Sequence, residues 1–279
     1  MIFYFSCTGN TKWAAEYLSE RTGDRLIDLT SHDADITFHV STGESIGFCF
    51  PIHGWRPPLY VRQFVNRLHI KTSNGYKPYC YAICTAGDNI GEGMNMFMYD
   101  FAKTGLTINY AASLIMPESY VGLPFMDVDK KEKEMEKKEQ ARKDLYKAAD
   151  DIMAHTDGMG KLHIGNWPRT NTRFLGNIFL KHIISDKHFT VDEDKCLRCG
   201  RCIKSCPVAN MAADNNGLPQ WLHNGNCLSC FACYHHCPTH AIEYGMRTKG
   251  KGQYYYTRNE GNAKRSDVRN GQVQAKRMP

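Results

Sequence analysis

The sequence predicts two domains: an α/β domain with a doubly wound parallel sheet, followed by a small, cysteine-rich α+β domain. Strand-like and helix-like segments alternate through residues 1–155, and repeated βα units imply a parallel sheet with helices on both faces. Eight of the 12 cysteines then fall within 42 residues, in two copies of one spacing. A chain of 279 residues is long enough for each domain to have its own core.

The segments of the first domain are assigned from their apolar periodicity. Strands are expected at residues 2–5, 26–29, 46–52, 79–85 and 107–116, and helices at 10–20, 58–68, 94–102 and 129–155. The strand at 46–52 is mostly apolar and is therefore expected to be buried on both faces.

The cysteine spacing is an internal repeat. The run Cys196-x2-Cys199-x2-Cys202-x3-Cys206-Pro207 recurs 31 residues later as Cys227-x2-Cys230-x2-Cys233-x3-Cys237-Pro238. In bacterial two-cluster iron–sulfur proteins with this spacing, three cysteines of a run bind one cluster and the fourth binds the other. The sequence therefore predicts one [4Fe–4S] cluster on Cys196, Cys199, Cys202 and Cys237, and another on Cys227, Cys230, Cys233 and Cys206.

Zinc and disulfides are the alternatives for these cysteines. Zinc sites usually use paired CxxC knuckles rather than three cysteines in a CxxCxxC row. Disulfides need an exporting context, and the first residues lack a basic segment and a cleavage site. We therefore expect a reducing, oxygen-poor cytoplasm. Cys7, Cys49, Cys80 and Cys84 are expected to be ordinary thiols.

The first strand is followed by a loop rich in hydroxyl groups, Phe5-Ser6-Cys7-Thr8-Gly9-Asn10-Thr11, which opens a helix. Gly9 allows a tight turn, and the other side chains add donors to the free N–H groups of the helix. Such a loop suits a phosphate without any lysine or arginine, although a simple helix cap is the alternative. Neither GxxxxGK[ST] nor GxGxxG is present, which argues against nucleoside triphosphate and dinucleotide sites.

This loop resembles the phosphate loop of flavodoxins over Ser6, Thr8, Gly9, Asn10 and Thr11. The resemblance implies FMN as a cofactor and a flavodoxin-like sheet of strand order 2-1-3-4-5. It also implies that two later loops contact the flavin ring, through Pro51, His53, Gly54 and Trp55 and through Thr85, Ala86, Gly87 and Asp88. For Trp55, ordinary packing is the alternative. No aromatic residue lies between Thr85 and Gly93, so one flavin face is expected to be open.

Over residues 1–246 the chain is similar to bacterial flavodoxin–ferredoxin fusions. The expected units are an FMN-binding domain (1–155), a linker and docking helix (156–185), a two-cluster ferredoxin domain (186–246) and a basic, flexible tail (247–279). The tail carries a net charge of +7 and the remainder −1. Solvation, docking to an acidic partner and weak nucleic-acid binding are its possible roles; no nucleic-acid module is recognised.

The expected function is that of an electron-transfer iron–sulfur flavoprotein with a redox partner protein. FMN exchanges one or two electrons and each cluster exchanges one, so the chain would couple one-electron carriers to two-electron chemistry. One alternative is an FMN-dependent reductase of a quinone, nitro compound or enone. The other is a donor dedicated to one enzyme. No catalytic acid or base is identified, and His53 and Asp88 are candidates by position only. Apolar runs reach about ten residues, too short to span a bilayer.

Overall fold

A computed structural model describes residues 1–31 and 37–257 of the chain. The strands before the cysteine-rich domain are β1 (Ile2–Tyr4), β2 (Leu26–Asp28), β3 (Thr37–Val40), β4 (Ile46–Pro51), β5 (His69–Thr72), β6 (Cys80–Ala86), β7 (Tyr110–Ile115) and β8 (Gly158–Met159). The helices of this part are α1 (Asn10–Thr22), α2 (Leu59–Arg67), α3 (Gly93–Phe101) and α4 (Lys131–Met153). Short 3-10 turns cover Leu29–Ser31, Ser73–Gly75 and Ala102–Thr104.

The central sheet has six parallel strands in the order β2-β1-β4-β6-β7-β8. Its α/β character and parallel strands, predicted from the sequence, are confirmed. Strands β3 and β5 were not predicted, and they pair with each other in a separate parallel ladder. Strand β8 has two residues, which is too short for any periodicity to show in the sequence.

Helices cover both faces of the sheet because its middle strands are apolar on both sides. On one face, Phe48 of β4 packs among buried aromatic residues of α3, including Phe97 and Phe101. On the other face, Tyr81 of β6 packs with residues of α1 and α4 such as Leu145. The loops at the carboxyl ends of β1, β4, β6 and β7 are therefore held at one edge of a rigid scaffold.

Residues 170–183 form a helix that packs on the first domain. Three consecutive helical stretches, Thr170–Leu175, Gly176–Ile178 and Phe179–Ile183, form one element, which we call α5; its first and third parts have π-type hydrogen bonding. The Arg56 guanidinium donates to the Thr172 carbonyl oxygen at 2.8 Å. A Cβ on Gly54 would lie 2.6 Å from the Phe179 ring, so glycine is required for this approach.

The cysteine-rich domain is a small α+β unit built on two pairs of antiparallel strands. Its elements are β9 (Phe189–Val191), α6 (Arg201–Lys204), β10 (Met211–Ala213), β11 (Pro219–Trp221), α7 (Ala232–His235) and β12 (Ile242–Tyr244). Strand β9 pairs with β12 and β10 with β11. Helices α6 and α7 occupy equivalent positions of the sequence repeat, 31 residues apart.

Residues 247–257, which we call the strap, run back from the cysteine-rich domain onto the first domain. Tyr254 is only 3% exposed, and its hydroxyl donates to Asn10 Oδ1 at 2.6 Å. The Tyr256 N–H donates to the Thr8 carbonyl oxygen at 2.8 Å. The prediction of a flexible tail is therefore wrong for the strap. The rest of that tail, residues 258–279, lies outside the described residues.

Within the described ranges, no helix is both long and apolar enough to cross a membrane.

Candidate functional site

A cavity of about 370 Å³ lies where the carboxyl edge of the central sheet meets the cysteine-rich domain. We call it the central cavity. In open α/β sheets, ligands bind at this edge of the strands, and the volume lies within the usual range for small-molecule sites. The loops that follow the strands therefore surround a concave site at this edge.

The central cavity gathers the three loops that the sequence predicted to share one ligand. Of the thirteen predicted residues, all but Gly9 line it: Ser6, Thr8, Asn10, Thr11, Pro51, His53, Gly54, Trp55, Thr85, Ala86, Gly87 and Asp88. Gly9 caps α1 instead, with a left-handed φ of 93°. Tyr256 covers it closely, because a Cβ on Gly9 would lie 3.0 Å from the Tyr256 Cβ.

Some side chains of the first loop have hydrogen-bond partners in the chain, and one does not. Asn10 donates through Nδ2 to the Pro117 carbonyl oxygen at 3.3 Å, and the Thr11 and Thr85 hydroxyls are 2.8 Å apart. The Ser6 hydroxyl is buried and has no hydrogen-bond partner among the described residues. Among the residues that the structure describes, no lysine or arginine lines the cavity. Its polar side chains are hydroxyls, amides, the His53 ring and the carboxyl groups of Asp88 and Glu118.

The second loop is a tight turn whose two ends are joined by backbone hydrogen bonds. The backbone groups of His53 and Arg56 exchange two hydrogen bonds, of 2.9 and 3.2 Å. Gly54 and Trp55 both have positive φ values, of 54° and 61°. Burial lowers the pKa of His53 to about 4, so its imidazole is neutral at physiological pH. It can therefore donate or accept a hydrogen bond in the cavity without adding charge.

Acidification tests the burial of His53. The pKa of His53 in the folded chain lies below the unfolded value of about 6.5, so the unfolded chain binds the proton more readily. Its contribution to stability is present above pH 6.5 and is lost as the pH falls toward 4. Between pH 7 and pH 5, we expect the free energy of unfolding to fall by about 2 kcal/mol more in the wild type than in His53→Gln. Anaerobic urea unfolding at both pH values measures this; equal losses in both proteins would contradict it.

Sequence reasoning missed the fourth loop, which follows β7. Met116, Pro117, Glu118, Ser119 and Tyr120 all line the central cavity. Burial raises the pKa of Glu118, although its carboxylate accepts the N–H groups of Ser119 at 2.9 Å and Tyr120 at 2.7 Å. This loop follows a strand of the same parallel sheet, so its position in the sequence could have predicted that it lies at the same edge as the other three loops.

Further residues outside the predicted set also line the cavity. Asn89 Oδ1 and the Tyr120 hydroxyl there are buried without a partner in the described part of the chain. The remaining lining residues are Cys7, Ile52, Leu123, Phe125, Met126, Phe179, Leu228, Ser229 and Cys230.

The eight cysteines of the repeat surround two small cavities. One is lined by Cys196, Cys199, Cys202 and Cys237, and the other by Cys206, Cys227, Cys230 and Cys233. Each cavity thus collects three cysteines from one run and the last cysteine of the other run. No three His, Cys, Asp or Glu side chains in the described ranges are gathered as a single metal ion would require. Burial raises the pKa of Cys202 to about 11 and that of Cys227 to about 12.

The second cysteine cavity and the central cavity share a wall. Cys230 lines both of them, and interaction with the Cys230 thiol raises the pKa of Cys7 in the first loop. Cys7, expected to be an ordinary thiol, therefore lies at the junction of the two cavities. His235 fastens this junction: its Nε2–H donates to the Ser119 carbonyl oxygen at 2.6 Å, and its Nδ1 accepts the Tyr254 N–H at 3.1 Å.

Comparison with known proteins gives matches to iron–sulfur proteins. A family model described as a 4Fe-4S dicluster domain matches residues 188–266. A ferredoxin of Pyrobaculum islandicum is 35% identical over 52 residues, which are 19% of this chain and 48% of that protein. The chain thus spans about half of that relative's length.

Two further relatives are covered more fully. An uncharacterized ferredoxin of Methanocaldococcus jannaschii is 39% identical over 54 residues, 19% of this chain and 70% of that protein. Ferredoxin-3 of Nostoc sp. is 35% identical over 66 residues, 18% of this chain and 68% of that protein. No solved structure matches the chain.

Proposed function

The chain belongs, through its cysteine-rich domain, to the 4Fe-4S dicluster ferredoxins, and we propose that the whole protein is an electron-transfer iron–sulfur flavoprotein. A ferredoxin-type domain indicates electron transfer and implies a redox partner. The proposal adds a flavin on the same chain. Its parts are two clusters in the two cysteine cavities and FMN in the central cavity.

The two cysteine cavities support the proposed crossed ligation. The fourth cysteine of each run, Cys206 or Cys237, lies with the three cysteines of the other run. Four thiolates around one cavity are the ligand set of a [4Fe–4S] cluster. Because burial opposes ionisation of Cys202 and Cys227, metal binding there is expected to release protons.

Several features of the central cavity fit FMN. When β3 and β5 are set aside, the first five strands of the main sheet follow the order 2-1-3-4-5 of a flavodoxin-like fold. The α1 N-terminus and the loop Ser6–Thr11 offer hydrogen-bond donors for a phosphate. Ser6, Asn89 and Tyr120 each have a buried polar atom without a partner in the described chain, which a bound polar ligand would satisfy.

The observation that carries the proposal is the shared wall at Cys230, which lines both the central cavity and a cysteine cavity. FMN, when bound, supplies exchange of one or two electrons next to a one-electron centre. The chain's own residues hold the two sites together: Leu228 packs into the core of the first domain, and His235 ties α7 to Ser119.

A second candidate function is reduction of a small organic acceptor on an open flavin face. The residues Leu123, Phe125, Met126 and Phe179 give the cavity an apolar side beyond the three predicted loops. Phe125 is 83% exposed, so this side reaches solvent. His53 and Asp88 line the same cavity and are the candidates to position a proton there.

Anaerobic reconstitution tests the proposed function. The full chain is expected to bind about eight irons and eight sulfides, together with about one FMN. Bound zinc without sulfide would contradict the two iron–sulfur clusters. Failure to bind FMN would contradict the flavin site in the first domain. The reduced protein is then offered quinones, nitroaromatics and enones. Rapid multiple turnover favours the reductase, whereas reoxidation by protein carriers alone favours electron transfer.

A further inference from the structure

The sequence repeat gives the cysteine-rich domain two equivalent faces, one around each cysteine run. At the constant offset of 31 residues, the second run has small or neutral residues wherever the first run has basic ones. The equivalent pairs are Arg198 and Ser229, Arg201 and Ala232, and Lys204 and His235, with Leu197 matched by Leu228. The two faces can therefore be compared residue by residue in their burial and in their charge.

The face of the second run is covered by the rest of the chain. Leu228, Ser229, Ala232 and His235 are all buried. Ser229 accepts the Ser185 N–H at 2.9 Å and donates to the Ser185 carbonyl oxygen at 3.2 Å. This face lines the central cavity. It is therefore already covered by the first domain of the same chain.

The face of the first run is open and basic; we call it the basic face. Leu197 at its centre is 66% exposed, and Cys199 is exposed beside it. Arg198, Arg201 and Lys204 are exposed, and the two arginines line the first cysteine cavity. None of the three cations forms an ion pair with a residue that the structure describes.

The acidic residues nearest in sequence to the basic face precede Cys196. Lys195 pairs with Asp192 at 2.8 Å, and Glu193 and Asp194 are exposed in the loop before Cys196. From Lys195 to Cys206, both included, the sequence contains four bases and no acid. The face thus has an apolar centre with a positively charged rim, the arrangement of a transient protein interface.

We propose that the basic face docks an acidic one-electron carrier protein; this inference rests on the proposed function. The carrier would give one electron to the cluster held by Cys196, Cys199, Cys202 and Cys237, and would itself be oxidised by one electron. No bond forms or breaks, and no proton is transferred. Electrons would then pass from this cluster to the second cluster, which Cys230 would help to hold. From the second cluster they would pass to the ligand of the central cavity.

Binding of a carrier of known charge tests the proposal. An oxidised, acidic plant-type [2Fe–2S] ferredoxin is titrated calorimetrically into the oxidised, fully loaded protein at low and at high ionic strength. The triple variant Arg198→Glu, Arg201→Glu, Lys204→Glu is expected to raise the Kd at least about tenfold at low ionic strength. The difference is expected to shrink at high ionic strength. A matched control reverses three exposed bases on α4: Arg142→Glu, Lys143→Glu, Lys147→Glu.

The outcomes separate docking from the function on which it rests. Equal Kd values for wild type and the triple variant, equal weakening by the α4 control, or tighter binding of a basic cytochrome c would overturn docking at the basic face. Iron, sulfide and FMN content are measured on the same samples. Absence of clusters from wild type would overturn the proposed function, whereas full clusters with an unaltered Kd would overturn the docking proposal alone.

Discussion

Replacing Cys237 with alanine is expected to remove the same cluster as replacing Cys199, although the two cysteines belong to different runs. Both line the first cysteine cavity, and a cluster that loses one of four thiolate ligands is destabilised. Iron and sulfide content should fall by about half, from about eight to about four of each. The EPR spectrum of the reduced protein identifies which signal is lost.

Cys206→Ala and Cys230→Ala provide the matched comparison, because Cys206 and Cys230 line the other cavity. Both variants are expected to lose the signal that Cys237→Ala and Cys199→Ala retain. If Cys237→Ala instead shared its lost signal with Cys230→Ala, each cysteine run would hold its own cluster, and the crossed ligation would be wrong.

Ending the chain at Met246 is expected to destabilise the protein and to weaken FMN binding. The deletion exposes the surface that Tyr254 covers, and burial of such a side chain is worth about 2–3 kcal/mol. It also removes the hydrogen bonds of Gln253 Nε2 to the carbonyl oxygens of Tyr234 and Cys237. We expect the free energy of unfolding to fall by at least about 3 kcal/mol. The FMN Kd should rise at least about tenfold, because the brace on Asn10 is lost.

A chain ending at Thr257 is the control for this truncation. It keeps the strap and omits only residues 258–279, so its thermal unfolding and its FMN Kd are expected to match those of the full chain. Equal values for the chain ending at Met246 would show that the strap contributes nothing to either property. Both truncated chains are compared anaerobically after reconstitution under the same conditions.

The parts of the fold that the sequence predicts well are those whose signal is local. Strands β4 and β6 are continuous apolar runs between turns, and helix α4 carries its own charge pairs, such as Lys138 with Glu134. The cysteine repeat predicts two groups of four thiols, and the same groups line the two cysteine cavities.

The parts that were missed depend on contacts between distant segments. The strap shows no apolar periodicity, and its order comes from surfaces elsewhere: Trp13 stacks on Tyr256, and Lys138 lies over the same ring. Cys7 could not be distinguished from the other thiols, because its neighbour Cys230 lies in the other domain. Tertiary packing, rather than local propensity, decides such positions.

The bond between Tyr254 and Asn10 joins residues 244 positions apart, which has a consequence for biosynthesis. A ribosome makes the first loop almost at once, but the residues that brace it emerge only after both cysteine runs. Contacts of such long sequence separation form late and slowly. The central cavity is therefore completed only after the cysteine-rich domain has been synthesised, so a nascent chain cannot finish this cavity before both cysteine runs exist.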